Sequence, residues 1–417
     1  MPVHPKLRAV FDAFDRDGIA WCVLRGEDEL ERPPADVDIL VARDDYDRAR
    51  AVLAPLAFAR VPAYGRGSHS FFRAYDRDSD QWLMLDVVTE LAYGPWFSLA
   101  THAEGGCLER RRRRAGVNVL ARADAFWTLL LHCLLDKGCI EPRYADRLGE
   151  LAAAASPADP LGEIVTGAAP RDWPAARFIQ AAGHGDWAAL EAVAPRLGRR
   201  WRRRAAFPVA WRVAAGSFAR LAEKPAVWRY RRGISAALLG PDGTGKSTIA
   251  RAAGERFCFP AATVYMGLWA GDGREHRGAA SLVVRALARP ARVWLRYLRA
   301  RAHQLAGRAV IFDRYTYDAW LPPRPPYARA KRLYFSLLAR LCPAPDLVLL
   351  LDAPPGTILA RKDEETPAEI AWQRDEFLKL GRRLPGLQVV DAARPRHEVT
   401  AEVVDRIWRQ HVARRAA

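Results

Sequence analysis

The stretch Ile234-Ser-Ala-Ala-Leu-Leu-Gly-Pro-Asp-Gly-Thr-Gly-Lys-Ser-Thr248 sets the architecture of the second half of this 417-residue chain. It begins with an apolar run of strand type and continues into a glycine-rich turn, after which Ile249–Ala253 suits a helix. The turn fits the pattern G-x-x-x-x-G-K-[ST], in which backbone N–H groups and a helix N-terminus surround a phosphate group. A strand, this turn and a helix in that order predict a phosphate-binding site.

The residue types of this turn suit a nucleoside triphosphate bound together with magnesium. Glycine tolerates backbone conformations that let the chain wrap closely around phosphates. Lys246 is expected to reach the β- and γ-phosphates, and the Ser247 hydroxyl is expected to ligate Mg²⁺. The predicted ATP and Mg²⁺ site comprises Gly240, Asp242, Gly243, Thr244, Gly245, Lys246, Ser247 and Thr248.

Further short apolar runs follow the turn, at Val310–Phe312, Leu347–Leu351 and Leu387–Val390. Continuous apolar strands separated by helical segments are typical of a parallel sheet that is covered on both faces. The C-terminal half is therefore predicted to be an α/β domain with a doubly wound parallel sheet.

An Asp-Arg-Tyr triplet follows the strand predicted at Val310–Phe312. Asp313 would leave the carboxyl end of this strand beside the phosphate turn, where a carboxylate suits the magnesium shell or an acceptor. Arg314 suits capture of a second phosphate group. The alternative interpretation of the triplet is a salt bridge confined to the strand end.

Together these motifs resemble those of the thymidylate kinase family. The resemblance rests on the form of the phosphate turn, on Asp313-Arg-Tyr315, and on Leu347–Asp352 followed by Pro355 and Arg361-Lys362. It extends from Ile234 to the end of the chain and implies a P-loop kinase fold.

The resemblance also implies roles for individual residues. Asp242 would contact the acceptor sugar, and Arg314 would hold the acceptor monophosphate. A lid after the fourth strand, around Lys362–Glu369, would supply arginines to the transferring phosphoryl group. The catalytic candidates are Lys246, Asp313, Arg314, Arg361 and Arg374.

A helix rich in arginine is expected between the second and third strands of this half. Its cations recur at three- and four-residue spacing, at Arg285, Arg289, Arg292, Arg296 and Arg299. A solvated helix face is the favoured interpretation of such a charge run. The alternative is a face for an anionic lipid or for a phosphorylated acceptor.

The N-terminal region, 1–115, is predicted to be a small mixed α/β domain with strands at Trp21–Leu24, Val37–Val41 and Leu83–Val88. Asp36 precedes the second strand and Asp38 is its second residue, and an Asp-x-Asp on an extended chain places both carboxylates on one face. Asp86 lies in a later strand. Three carboxylates on neighbouring strands suit one or two divalent metal ions.

The glycine turn at Gly26, the Asp-x-Asp and the later aspartate resemble the minimal nucleotidyltransferase family. The resemblance implies a metal site formed by Asp36, Asp38 and Asp86. Region 116–222 is predicted to be a helical extension, in which His132 or Lys137 could lie beside that site. Residues 223–417 form the predicted kinase-like domain.

Charge and composition limit the partners. Lys and Arg number 65 against 48 Asp and Glu, which gives a formal charge of +17. Such a charge favours phosphorylated molecules or an acidic surface, whereas nucleic acid is less favoured because no RNA- or DNA-binding module is recognised. Six scattered cysteines indicate neither a zinc site nor a disulfide framework, and a cytoplasmic location is expected.

These observations predict an ATP- and Mg²⁺-dependent phosphotransferase that acts on a nucleoside monophosphate or a related phosphorylated small molecule, fused to a nucleotidyltransferase-like domain. One alternative is a nucleotidyltransferase acting on a sugar, a small molecule or an RNA end, with the kinase domain accessory. Another is a nucleotide-dependent switch that recruits a partner or a membrane surface. The oligomeric state stays open.

Overall fold

The computed structural model of the chain describes residues 2–231, 233–268, 279–322, 328–340, 342–361 and 366–416. The chain divides into two compact units. The first comprises Met1–Ala74 and Leu83–Val227, and the second comprises Tyr75–Trp82 and Trp228–Ala417. The finer division into 1–115, 116–222 and 223–417 stays a prediction.

The N-terminal strands form a mixed seven-stranded sheet in the order β3-β4-β5-β2-β1-β9-β8, and β6 pairs with β7 in a separate ribbon. The strands are β1 (Trp21–Val23), β2 (Val37–Val41), β3 (Ala59–Val61), β4 (Ser70–Asp76), β5 (Gln81–Val88), β6 (Ala92–Tyr93), β7 (Leu99–Ala100), β8 (Arg112–Arg114) and β9 (Val117–Val119). β2 is buried along its whole length and runs parallel to β5 but antiparallel to β1. The strands predicted near Trp21, Val37 and Leu83 are confirmed.

Helices cover this sheet and continue beyond it. They are α1 (Pro5–Arg16), α2 (Tyr46–Leu53), α3 (Glu104–Glu109), α4 (Arg122–Leu131), α5 (Pro142–Ala152), α6 (Pro160–Ala168), α7 (Ala175–Gly183), α8 (Trp187–Arg204) and α9 (Ala206–Arg231). On α1, Leu7, Phe11 and Phe14 recur at helical spacing and are fully buried against the strands. The helices from α4 to α8 share a second core that includes Phe126, Leu130 and Leu134.

The second unit is built on a five-stranded sheet in the order β11-β12-β10-β13-β14. Its strands are β10 (Ser235–Leu239), β11 (Ala261–Tyr265), β12 (Ala309–Asp313), β13 (Leu347–Asp352) and β14 (Leu387–Asp391). All neighbouring strands of this sheet run parallel. β10 lies at the centre, so the turn after it emerges between the carboxyl ends of β12 and β13.

Helices cover both faces of the parallel sheet. They are α10 (Lys246–Arg256), α11 (Ala279–Leu305), α12 (Ala328–Arg340), α13 (Pro355–Leu359), α14 (Pro367–Leu380) and α15 (Arg396–Ala416). Ala237, Val310 and Leu350 pack in one core with side chains from α11, α12 and α14. The alternate residues Ala236 and Leu349 are equally buried and face the other side, where α10 and α15 lie.

The fold class predicted from the sequence is confirmed. The second unit is a doubly wound α/β domain with a P-loop after its central strand, and the first contains a mixed α/β sheet with a helical extension. Among the helices of the described ranges, none is both long enough and apolar enough to cross a bilayer.

Candidate active sites

The phosphate turn of the second unit has the conformation that its glycines permit. Gly240, Gly243 and Gly245 all have positive φ, at +141°, +85° and +88°. Gly245 caps the N-terminus of α10, so the first N–H groups of that helix point toward the turn. This conformation fits the phosphate-binding turn that the sequence pattern predicts, and phosphate binding there stays a prediction.

Gly240 leaves no room for a side chain. A Cβ atom built there would lie 2.4 Å from the Leu351 carbonyl oxygen, in a backbone conformation that other residues rarely adopt. We expect Gly240→Ala to destabilise the second unit by about 1–3 kcal/mol, because the backbone must shift or remain strained. Thermal unfolding monitored by circular dichroism should show a lowered midpoint.

The matched control for this substitution is Gly356→Ala. No atom lies within 4 Å of a Cβ built at Gly356. We therefore expect that variant to unfold at or above the wild-type midpoint. Equal destabilisation by both substitutions would show that close packing at Gly240 is not what requires glycine.

Lys246 lies folded against the phosphate turn. Its Nζ atom donates hydrogen bonds to the carbonyl oxygens of Gly240 (2.8 Å) and Pro241 (2.6 Å) and lies 3.4 Å from a carboxylate oxygen of Asp242. Burial lowers the pKa of Lys246 to about 8, and the nearby Arg314 contributes to this lowering while Asp242 opposes it. At neutral pH the side chain is therefore a buried cation that phosphate oxygens would stabilise.

The Asp-Arg-Tyr triplet brings two predicted acceptor residues together. β12 ends at Asp313 in register with Leu238 of the central strand. Arg314 has a positive φ of 65° and its backbone N–H donates to the Leu238 carbonyl oxygen at 3.1 Å. Its guanidinium donates a hydrogen bond to the Asp242 carboxylate. Arg314 thus forms a salt bridge with the phosphate turn, and its role at an acceptor phosphate stays a prediction.

Asp318 is a functional candidate that the sequence reasoning missed. It lies on the 3-10 turn Thr316–Trp320, is 6% exposed, and neither of its carboxylate oxygens has a hydrogen-bond partner among the described residues. Arg314 Nη1 lies 4.0 Å from Asp318 Oδ2. Burial raises the pKa of Asp318 to about 6, although Arg314 and Lys246 oppose the shift. The only available sequence signal was a second aspartate shortly after Asp313.

The acidic residues around the turn fit a magnesium ion. Asp313 Oδ1 and both oxygens of Asp318 are buried without hydrogen-bond partners in the described chain, and buried carboxylates normally have such partners. Ser247 is exposed at the start of α10 and lines the same cleft as Lys246. Hydroxyl and carboxylate oxygens are the ligands that Mg²⁺ prefers.

The turn opens into a cleft of about 460 Å³. Besides the residues from Asp242 to Ile249, its walls include the arginines Arg314, Arg361, Arg394 and Arg396. Arg361 is held there by a hydrogen bond of 2.9 Å to the Ala392 carbonyl oxygen. The sequence motifs did not point to Arg394 and Arg396, because these residues come after β14, far along the chain from the turn.

Arg374, the second lid candidate, does not line this cleft. Its Nε and Nη2 atoms donate to the two oxygens of Asp352 at 2.7 and 2.8 Å. Residues 362–365 of the predicted lid lie outside the described ranges. A role for Arg374 in contacting the transferring phosphoryl group therefore stays a prediction.

Arg296, on the arginine-rich helix α11, contacts the chain around the end of β11. Arg296 of α11 donates a hydrogen bond of 2.9 Å to the Gly267 carbonyl oxygen and lies 5.2 Å from the Tyr265 ring centre. The side chain of Arg285 is outside the described part of the chain. Arg296 is therefore bonded within its own unit, and the role of the remaining cations of this helix stays a prediction.

In the first unit, the structure brings the three predicted metal ligands together. Ligand oxygens of Asp36, Asp38 and Asp86 lie within 4.8 Å of one another. The register of β2 against β5 accounts for this, because Asp38 and Asp86 are paired on neighbouring parallel strands. Asp86 Oδ1 is buried without a hydrogen-bond partner in the described chain, which fits an additional ligand such as a metal ion.

Two basic side chains also contact this carboxylate group. Arg25 donates to both oxygens of Asp38, at 2.9 and 3.0 Å, and His69 Nδ1 lies 2.6 Å from Asp86 Oδ2. Burial raises the pKa of Asp38 to about 6, although Arg25 opposes the shift. Neither contact was foreseen, since Arg25 and His69 lie far from their partners in sequence.

These carboxylates line a cavity of about 890 Å³. His132 and Lys137 also line it, in the π-helical turn His132–Lys137, so both helical candidates lie beside the predicted site. His132 is bonded to Asp136 at 2.9 Å, and burial lowers its pKa. Glu27, the residue after the glycine turn, forms salt bridges with Arg147 and Arg114. Its negative charge is therefore neutralised within the unit.

Comparisons with known proteins do not assign this chain to a family. No protein-family model matches the chain, and no curated protein matches it. A solved structure of thymidylate kinase from Candida albicans is 18% identical, with a TM-score of 0.32, and the match covers 42% of this chain and 91% of that one. The function of this chain is therefore inferred from the geometry within each unit and not from this likeness.

Proposed function

We propose that the second unit is an ATP- and Mg²⁺-dependent phosphotransferase whose acceptor is a nucleoside monophosphate or a related phosphorylated small molecule. One observation carries the proposal: the glycine turn, Lys246 and the guanidinium groups of Arg314 and Arg361 line the same cleft. Phosphoryl transfer requires mainly alignment and neutralisation of charge, and this set of groups supplies both.

Each group has a distinct part in this proposal. The turn N–H groups and Lys246 hold the donor phosphates, and Lys246 exchanges its carbonyl partners in the turn for phosphate oxygens. Magnesium, when bound, would neutralise charge on the phosphates, and in this proposal Ser247 and Asp313 would hold it. Arg361 approaches the donor from the β14 side of the cleft.

Arg314 is assigned to the acceptor phosphate. Its guanidinium is paired with Asp242, and an incoming phosphate would offer it a planar, bidentate partner. We expect Arg314→Lys to raise the acceptor KM or lower kcat by about tenfold or more, because lysine cannot reproduce that geometry. Steady-state kinetics with varied acceptor should show the change, while ATP affinity from calorimetry stays close to wild type.

Arg340→Lys is the matched control, since Arg340 is an exposed residue of α12 that does not line the cleft. Arg340→Lys should leave the ATP affinity and the acceptor KM and kcat at their wild-type values. The opposite result would be an Arg314→Lys variant with weaker ATP binding and wild-type KM and kcat for every acceptor. It would show that Arg314 contacts the donor.

A panel of acceptors would define the substrate class. The full chain would be incubated with ATP, Mg²⁺ and one nucleoside monophosphate or sugar phosphate at a time, and ADP formation above the acceptor-free rate would be measured. At least one phosphorylated acceptor should stimulate ADP formation, whereas the corresponding unphosphorylated nucleosides and sugars should not. Stimulation by unphosphorylated compounds alone would contradict the assignment of Arg314.

A second candidate function belongs to the first unit. Three carboxylates converge in a cavity large enough for a nucleotide, which supports metal-dependent nucleotidyl transfer. Asp38 is bonded to Arg25, but each carboxylate oxygen retains a further lone pair for a cation. In this proposal Asp36, Asp38 and Asp86 hold the metal, and His69 orients Asp86.

A further inference from the structure

One face of α9 is apolar and exposed to solvent. Phe207, Trp211, Phe218 and Leu221 are 82%, 69%, 77% and 75% exposed. Their spacing of four, seven and three residues places them along a single stripe of the helix. Single exposed apolar residues are ordinary, but a stripe of three aromatic side chains and a leucine along one helix marks an interaction surface.

The opposite side of α9 is fixed to its own unit. Arg212 forms a hydrogen-bonded salt bridge with Glu90, and the Arg220 guanidinium lies 3.7 Å from the centre of the Trp96 ring. Gly216 approaches Gly65 so closely that a Cβ on Gly65 would lie 2.2 Å from the Gly216 carbonyl oxygen. These contacts hold the helix in one orientation, with the apolar stripe facing outward.

A cluster of cations directly precedes this stripe along the chain. The last turns of α8 carry the exposed residues Arg199, Arg200, Arg203 and Arg204. Across the described ranges, none of these four is in a salt bridge. In 199–231, Glu223 is the sole acidic residue. The segment 199–231 therefore combines a row of exposed apolar side chains with concentrated positive charge, against which Glu223 alone supplies a negative charge.

This combination identifies the chemistry of the partner. Aromatic and leucine side chains on one helix face, beside arginines, are typical of helices that lie in the interface of an anionic membrane. We propose that the surface formed by Arg199–Arg204 and the α9 stripe docks the protein on a bilayer containing anionic phospholipid, with α9 lying parallel to the membrane plane. The arginines face the lipid phosphates and the stripe enters the headgroup region.

Vesicle sedimentation of the full chain tests the proposal. We expect binding to vesicles of phosphatidylcholine with about one third phosphatidylglycerol, and at least about tenfold weaker binding to pure phosphatidylcholine, because several arginines act together. Phe218→Glu/Leu221→Glu should weaken binding to the anionic vesicles by about tenfold or more. Replacing Arg199, Arg200, Arg203 and Arg204 by glutamine should weaken it comparably. All these side chains are exposed, so the fold should tolerate the changes.

Leu295→Glu/Leu298→Glu on α11 is the matched control, since those leucines are also exposed, at 69% and 54%. It should bind anionic vesicles as the wild type does. Equal loss in both double variants, no binding by the wild type, or equal binding to both lipid compositions would overturn the proposal. A further contradicting result would be a wild-type dimer, detected by light scattering, that does not bind vesicles and that dissociates in Phe218→Glu/Leu221→Glu. The stripe would then contact a second copy of the chain.

Discussion

Alanine in place of Lys246 is expected to lower the rate of phosphoryl transfer by at least about a hundredfold, the range measured when one preorganised charge-stabilising donor is removed. The side chain is buried against the carbonyl oxygens of Gly240 and Pro241, and its pKa of about 8 leaves it charged at pH 7. Removing it leaves the developing phosphate charge without its central cation. ATP affinity should also fall, because the same ammonium group contacts the bound triphosphate.

The measurement is single-turnover transfer at saturating ATP and pH 7, together with calorimetric ATP binding. Lys379→Ala is the matched control, because Lys379 is an exposed residue of the same unit that pairs with Glu376 at 2.6 Å. Its rate should match the wild type. If Lys246→Ala retained both the wild-type circular dichroism spectrum and the wild-type turnover, the phosphate turn would not be the site of transfer.

Asparagine at both Asp36 and Asp38 is expected to abolish divalent metal binding in the first unit. The two carboxylates and Asp86 provide the converging oxygens of the predicted site, and an amide oxygen is a far weaker ligand for a divalent cation because it carries no net charge. Mn²⁺ binding to the full chain without nucleotide, monitored by the electron paramagnetic resonance signal of free Mn²⁺, should show at least one fewer bound ion in the double variant.

Asp44→Asn/Asp47→Asn is the control with the same change of charge. Both of these carboxylates are exposed and lie outside the cavity of the first unit. This control should retain the wild-type stoichiometry. If the wild-type chain binds no Mn²⁺ that depends on Asp36 and Asp38, the metal site assigned to these carboxylates in the nucleotide-free protein is contradicted.

Much of the fold could be predicted because the sequence features that indicate its strands and its phosphate turn lie within short segments. The apolar runs at Val37–Val41 and Leu347–Leu351 correspond to β2 and β13 with nearly the same bounds. The phosphate turn was equally predictable, since its glycines, Lys246 and Ser247 are nearly contiguous. The sequence pattern indicated that Asp38 and Asp86 lie on neighbouring strands. Only the structure gives the parallel register that places the two carboxylates side by side.

The remaining parts of the sites depend on contacts between distant residues. Arg25 pairs with Asp38 and His69 with Asp86 because the folded sheet brings them together. Arg374 pairs with Asp352, a contact that spacing alone could not distinguish from a lid role. Asp318 was missed because burial without a hydrogen-bond partner is a property of the folded chain, not of a residue pattern.

We propose that this chain transfers the terminal phosphoryl group of ATP at the glycine turn of its second unit. The most direct measurement compares ATP labelled at the γ-phosphate with ATP labelled at the α-phosphate, in the presence of Mg²⁺ and the phosphorylated acceptor that stimulates ADP formation most. We predict that the γ-label appears on the acceptor with ADP as the other product, and that this transfer is lost in Lys246→Ala and retained in Asp36→Asn/Asp38→Asn. Transfer of the α-label to the acceptor with release of pyrophosphate, lost in the aspartate variant and retained in Lys246→Ala, would contradict the claim.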